Sequence, residues 1–224
     1  MLLAFWLLTH TLANAGLQTE LIDLLLKGHN DARGRIANGT APNTAGLLPP
    51  AGNMYDMVFS GSLEHEAETL AEKCSSRVRS SSSAALNIKL FTDKNIPLLS
   101  DTELVEMALK DWYAPVERYG LHSKNNTYTD LRLESFANMI YYKNNMFGCA
   151  LNRCNTSSTR TPFIAVVLCL YSCPPVYGAP LYESGNACQN NADCTLLPSS
   201  NCDKGLCASH VVFVPPGGLL IHTF

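Results

Sequence analysis

The placement of cysteine constrains this chain more than any other feature. Of nine cysteines, Cys74 stands alone in the front half, while Cys149, Cys154, Cys169, Cys173, Cys188, Cys194, Cys202 and Cys207 crowd the back half. No CxxC pair occurs and no histidine falls between Cys149 and Cys207, so the spacing does not suit structural zinc. Disulfides are the better reading, and they need an oxidising compartment. The odd total leaves at least one cysteine with no partner in the chain, as a free thiol or an interchain bridge.

The amino terminus fits that compartment. Residues 1–15 contain no Asp, Glu, Lys or Arg, and their apolar run from Leu2 to Leu8 with Leu12 ends at Ala13, Asn14 and Ala15. This small-x-small ending predicts a signal peptide cleaved before Gly16. The absence of a basic residue at the start leaves a buried N-terminal helix as the rival reading. No later stretch reaches the roughly 18 apolar residues of a membrane span. Taking 15 residues from 224 leaves 209, enough for one single-core domain with a small appendage. A formal charge of −3 gives no electrostatic reason to expect nucleic acid or an anionic membrane as partner. Three sequons, at Asn38 (NGT), Asn125 (NNT) and Asn155 (NTS), mark expected glycosylation sites on surface loops.

Apolar periodicity predicts a first helix over Glu20 to Ile36 and a second over Ser62 to Cys74, with Ser62 as its cap. A third helix opens at Ser100 or Asp101 with Glu103 following, and Pro115 should kink or end it. A short fourth helix is expected within Leu131 to Met139. Strands are expected at Asn87 to Phe91, Asn138 to Tyr142 and Phe163 to Tyr171. The serine-rich run Ser75 to Ser83 reads as an exposed linker. Past Cys173 the chain is rich in Gly, Pro, Asn and Cys, so cross-links must supply its order. The apolar ending VVFVPPGGLLIHTF is broken by prolines and glycines, which argues against a lipid-anchor signal.

Five segments sharpen this outline: GHNDAR at 28–33, AGNMYDM at 51–57, SLEHEAETLAEKC at 62–74, FGCALNRC at 147–154 and VVLCLYSCPPVYGAPLYESGNAC at 166–188. In this order they resemble the CAP superfamily, or SCP/TAPS domain, with the flavour of venom-allergen-like and activation-associated secreted proteins of parasitic nematodes. The resemblance implies an α+β fold, an α-β-α sandwich around a small antiparallel sheet, trailed by a cysteine-rich hinge. The expected division is a signal peptide (1–15), the CAP domain (16–172), the hinge (173–209) and a tail (210–224). It also implies the pairs Cys74–Cys149 and Cys154–Cys169, with Cys188–Cys202 and Cys194–Cys207 among the options in the hinge. Cys173 is then unpaired or interchain.

The family's cleft commonly holds two histidines and two glutamates in an arrangement that resembles a divalent-metal site. Here the stretch after Cys74 has no histidine, Leu86 stands for the first glutamate, Pro115 for the second, and Ser135 for the second histidine, in a segment read as strand. Leucine and proline offer no side-chain ligand, and one serine is a poor one. A family-type metal centre is therefore not expected, no cofactor is implied, and no catalytic residue is assigned. His29, which opens the HN..R motif, is expected to join helix to loop by a buried hydrogen bond, and His65 to be solvated. No HExxH, GxSxG, nucleotide-binding glycine loop or basic-aromatic strip occurs. The function expected is a secreted, non-enzymatic effector or immunomodulator that binds an extracellular host protein. Carriage of a sterol or fatty acid is the alternative, a metal-dependent hydrolase the remote one, and self-association through Cys173 stays open.

Overall fold

A computed structural model describes residues 16–123, 125–155, 163–214 and 218–221. The expected signal peptide at 1–15 and its cleavage lie outside the described residues. In chain order the main elements are α1 (Thr19–Ala37), β1 (Ala51–Gly52), β2 (Val58–Phe59), α2 (Gly61–Ala71), β3 (Ala85–Phe91), α3 (Asp101–Tyr119), α4 (Glu134–Ile140), β4 (Met146–Asn155) and β5 (Phe163–Tyr171). The hinge region adds β6 (Glu183–Ser184), β7 (Asn201–Asp203) and β8 (Leu206–Ala208), and the tail β9 (Val211–Val214) and β10 (Gly218–Ile221).

A four-stranded sheet of order β2-β4-β5-β3 divides the molecule. Strand side chains alternate between faces, and the two faces here have different owners. Ala150, Val166, Leu168 and Leu170 pack beneath α2 with Leu63, Ala67 and Leu70. Phe147, Cys149, Val167, Cys169 and Tyr171 join the larger core with α1, α3 and α4. This is the α-β-α sandwich. The sheet is not wholly antiparallel, however: β2 runs parallel to β4, with Val58 opposite Met146. The chain leaves β2 straight into α2 and reaches β4 only after β3, α3 and α4, a crossover long enough for parallel pairing.

Several local expectations are corrected. Ser60, not Ser62, caps α2, its hydroxyl accepting from Leu63 N at 3.4 Å. Residues 138–140 belong to α4 rather than a strand, because Leu133, Phe136, Ala137 and Ile140 recur at helical spacing and all are buried. The strand lies further on, at Met146–Asn155, where small and polar residues hid it. Helix α3 begins with a Ser100–Glu103 capping box and continues through Pro115 to Tyr119. Proline removes one helical hydrogen bond at a cost of about 3 kcal/mol, and the buried stripe of Leu104, Val105, Ala108, Trp112 and Val116 outweighs it.

The disulfides next to the sheet also differ from the family-based pairing. Cys74 is bonded to Cys154 and Cys149 to Cys169. Residues 149 and 154 are an odd number of positions apart on β4 and so point to opposite faces. Cys149 faces Cys169 directly across the β4–β5 ladder. Cys154 points to the α2 side, where Cys74 follows the end of that helix. In the hinge Cys188 is bonded to Cys202 and Cys194 to Cys207.

The hinge docks on the sandwich around Tyr55, which packs with Cys188, Cys194, Leu197 and Cys207. Asp56 N donates to Cys207 O and Cys207 N to Met54 O, both at 2.8 Å. The tail hairpin is tied down as well, Phe213 N donating to Asn145 Oδ1 at 3.1 Å.

Candidate functional site

Helix α4 packs on β3 and on α3, and these three elements carry the positions expected for the family's cleft, Leu86, Pro115 and Ser135. Ser135 Oγ donates to Trp112 O at 3.0 Å, one turn before Pro115. Asn87 Nδ2 donates to Ser135 O at 2.9 Å, and Asn138 Nδ2 to Leu86 O at 3.3 Å. The Leu86 side chain turns away, packing with the cluster beneath α2. Asn87, its neighbour, faces the junction instead, by the alternation of the strand.

Beneath the junction a polar chain runs through the core. His29 Nδ1 lies 2.7 Å from Leu25 O and Nε2 lies 2.9 Å from the Tyr171 hydroxyl. Since the carbonyl only accepts, Nδ1 carries the proton, Nε2 accepts, and Tyr171 donates. Asn87 Nδ2 donates to the Tyr171 oxygen at 3.0 Å, and Asn87 Oδ1 accepts from Asn138 at 2.8 Å. Each amide hydrogen of Asn87 and Asn138 is thus used. Burial pushes His29 down to about 4 and Tyr171 well above the usual phenol range. Both are neutral at physiological pH. His29 therefore bonds a strand and its own helix, not a loop as expected, and holds α1 to β5.

This arrangement suits structure better than chemistry. It has no charged member and its amide hydrogens are all committed, although the Trp112 indole N–H beside it is buried without a partner, and Leu86, Pro115 and Ser135 do not form a donor set that fits a divalent metal. The other histidines of the body do not converge on it. The His65 side chain is 86% exposed beside Glu68, and His122 pairs with Thr44. Among the described residues, Cys188, Cys194 and Cys207 gather with metal-like spacing, but each is held in a disulfide and offers no thiolate.

Sequence reasoning missed three features. Arg33, from the HN..R motif, is fully buried and donates to the carbonyls of Met139 (3.0 Å), Tyr55 (2.8 Å), Tyr141 (2.9 Å) and Asn144. Burial lowers it to about 9, the Asp56 carboxylate working against that shift. Its position four residues after His29 was the available signal. Next, Glu66 gathers the run Ser80 to Ser82, accepting from three hydroxyls and two backbone amides. Burial opposes its ionisation, but these bonds hold it at about 2. Finally, a polar cavity of about 510 Å³ opens between α1 and the hinge.

Cys173 is the one free cysteine among the described residues. It is half-buried, and burial raises its thiol above the usual value, which disfavours the thiolate. The exposed sequon residues are Asn38 at the end of α1, Asn125, and Asn155 at the end of β4. No helix among the described residues is long and apolar enough to cross a membrane.

The comparisons with known proteins agree with this architecture. Ancylostoma secreted protein of Ancylostoma caninum is 28% identical over 196 residues, covering 87% of this chain and 44% of its own length. The crystal structure of Na-ASP-1 superposes with a TM-score of 0.75 at 27% identity, covering 90% of this chain and 48% of that one. The structure of BmVAL-1 gives 0.73 at 22% identity, covering 88% and 98%. This chain thus spans less than half of Ancylostoma secreted protein and of Na-ASP-1. The description "CAP: Cysteine-rich secretory protein family" matches residues 26–171, well over half of the chain, and the chain belongs to that family.

Proposed function

We propose that this chain is a secreted, non-enzymatic protein that acts by binding an extracellular host protein, as an effector or immunomodulator. The observation that carries the reading is the closed hydrogen-bond circuit at the β3–α3–α4 junction, where the family's cleft positions are Leu86, Pro115 and Ser135. Membership of a family with nematode secreted members and four disulfides support the compartment. A binding role needs a stable surface, and the cross-links and the docked hinge supply one.

Purified mature protein tests this directly. Expected are an N terminus at Gly16, no stoichiometric zinc, and saturable binding to one host protein that survives chelation. Hydrolytic turnover lost on chelation, or on Ser135→Ala, would overturn the reading. Carriage of an apolar ligand rests on one feature, an open groove of about 420 Å³ lined by Ile96, Pro97, Leu99, Phe163 and Ile164. Co-purified sterol or fatty acid displaced by Phe163→Asp would favour it. Mass with and without reductant settles self-association, since a Cys173-linked dimer must vanish on reduction.

A further inference from the structure

The polar cavity between α1 and the hinge, about 510 Å³, is bordered by Arg35, Asn38, Thr40, Asp56, Asp203 and Lys204. Asn38 heads the NGT sequon and is exposed at the C-terminal cap of α1. Its Nδ2 donates to Gly34 O at 2.8 Å. An amide nitrogen carries two hydrogens, so a sugar can replace one and leave that bond in place.

The amide also lies against the hinge. Gly205 turns the β7–β8 hairpin at φ +87, and a methyl group there would sit 3.3 Å from Asn38 Oδ1 and 3.4 Å from Nδ2. Any group attached to Nδ2 therefore leaves beside this turn. The cavity wall offers carboxylates from Asp56 and Asp203 as acceptors, and Arg35 and Lys204 as donors. Asp56 Oδ1 itself is buried with no hydrogen-bond partner, so the side chain faces the cavity through its remaining atoms. A sugar carrying hydroxyls and an acetamide matches both kinds of group. Asn155 differs, bordering the apolar groove.

We propose that Asn38 carries an N-linked glycan whose first N-acetylglucosamine residues lie in this cavity and fasten the hinge turn to the end of α1. The attachment breaks the bond between the anomeric carbon and the diphosphate of a lipid-linked oligosaccharide donor. It forms a bond from that carbon to Asn38 Nδ2, which loses one proton. The inference rests on the reading of the chain as secreted, since only that route meets such a donor.

The test uses the full chain produced in eukaryotic secretory cells. Glycopeptide masses give occupancy at each sequon, and native trypsin reports cleavage after Lys204, the exposed residue at the hinge turn. Asn38→Gln and Thr40→Ala remove the sequon by different residues, while Thr40→Ser keeps both the sequon and a hydroxyl. Expected is an occupied Asn38 in wild type and Thr40→Ser, with cleavage after Lys204 about tenfold slower than in Asn38→Gln and Thr40→Ala. A bare Asn38 beside an occupied Asn125 or Asn155 would overturn the proposal. So would an occupied Asn38 with equal cleavage rates in all four proteins. Three bare sequons in a protein that is not exported would overturn the secreted reading, and this proposal with it.

Discussion

Cys74 is bonded to Cys154, at a Cα separation of 6.4 Å, across the α2 side of the sheet, while Cys149 bonds Cys169 on the opposite side. The two bridges therefore tie different layers. Cys74–Cys154 closes a loop with a sequence separation of 80, and Cys149–Cys169 one of 20. In the chain-entropy account these are worth about 4.5 and about 3 kcal/mol. Replacing Cys74 and Cys154 together by serine should therefore cost more in urea unfolding than replacing Cys149 and Cys169 by alanine. Non-reducing peptide maps should recover a 74–154 linkage and no 74–149 linkage.

Arg33 is expected to tolerate no replacement. Its planar fork reaches four carbonyls from three segments at once, which the single nitrogen of lysine cannot do. Arg33→Lys should lower unfolding free energy by about 3 kcal/mol or more, since a buried charge would lose part of its partners. Chemical denaturation at neutral pH measures it.

His29 and Asp56 should pull stability in opposite directions with pH. Folded His29 stays neutral down to about 4, whereas the unfolded residue takes a proton below 6.5, so its contribution is lost as pH falls. Folded Asp56 keeps its proton up to about 6 because it is buried, whereas the unfolded residue releases it near 3.8, so its contribution is lost as pH rises. Between pH 4 and 6 the two nearly cancel. Asp56→Asn should leave the histidine dominant above the carboxylate range, with stability falling by about 2 kcal/mol from pH 6.5 to about 5. A flat profile in this variant, from urea unfolding at successive pH values, would remove His29 as the titrating group.

Gly148 allows α2 to lie directly on β4. A methyl group there would sit 2.3 Å from Glu64 N and 2.6 Å from Ser60 O, both backbone atoms. Gly148→Ala must push the helix off the sheet and should cost about 2 kcal/mol or more. Thermal unfolding gives the loss, and faster hydrogen exchange confined to α2 would locate it.

The helices were legible because each presents a buried stripe at a spacing the chain repeats: Leu104, Val105, Ala108, Trp112 and Val116 mark α3 without any tertiary information. Strand β4 was not, since its inward residues include Gly148, Cys149 and Ala150, which carry little apolar signal. Pro115 illustrates the opposite error. A local rule ends the helix there, but packing on both sides of the proline overrides it. At the junction, the sequence reading named Leu86 by motif position, and strand alternation hands the site to Asn87.

The sequence by itself determined the family, the sandwich and the heavy use of disulfides, because motif order, helical periodicity and cysteine content are properties of the chain read in one dimension. It also named Leu86, Pro115 and Ser135 as the expected cleft positions. Only the tertiary structure decided which cysteines meet, where the buried Arg33 finds its carbonyls, and that Asn38 borders a cavity shared with the hinge. Each of those depends on which face a residue presents and on what another segment brings to it, and neither is encoded in spacing along the chain.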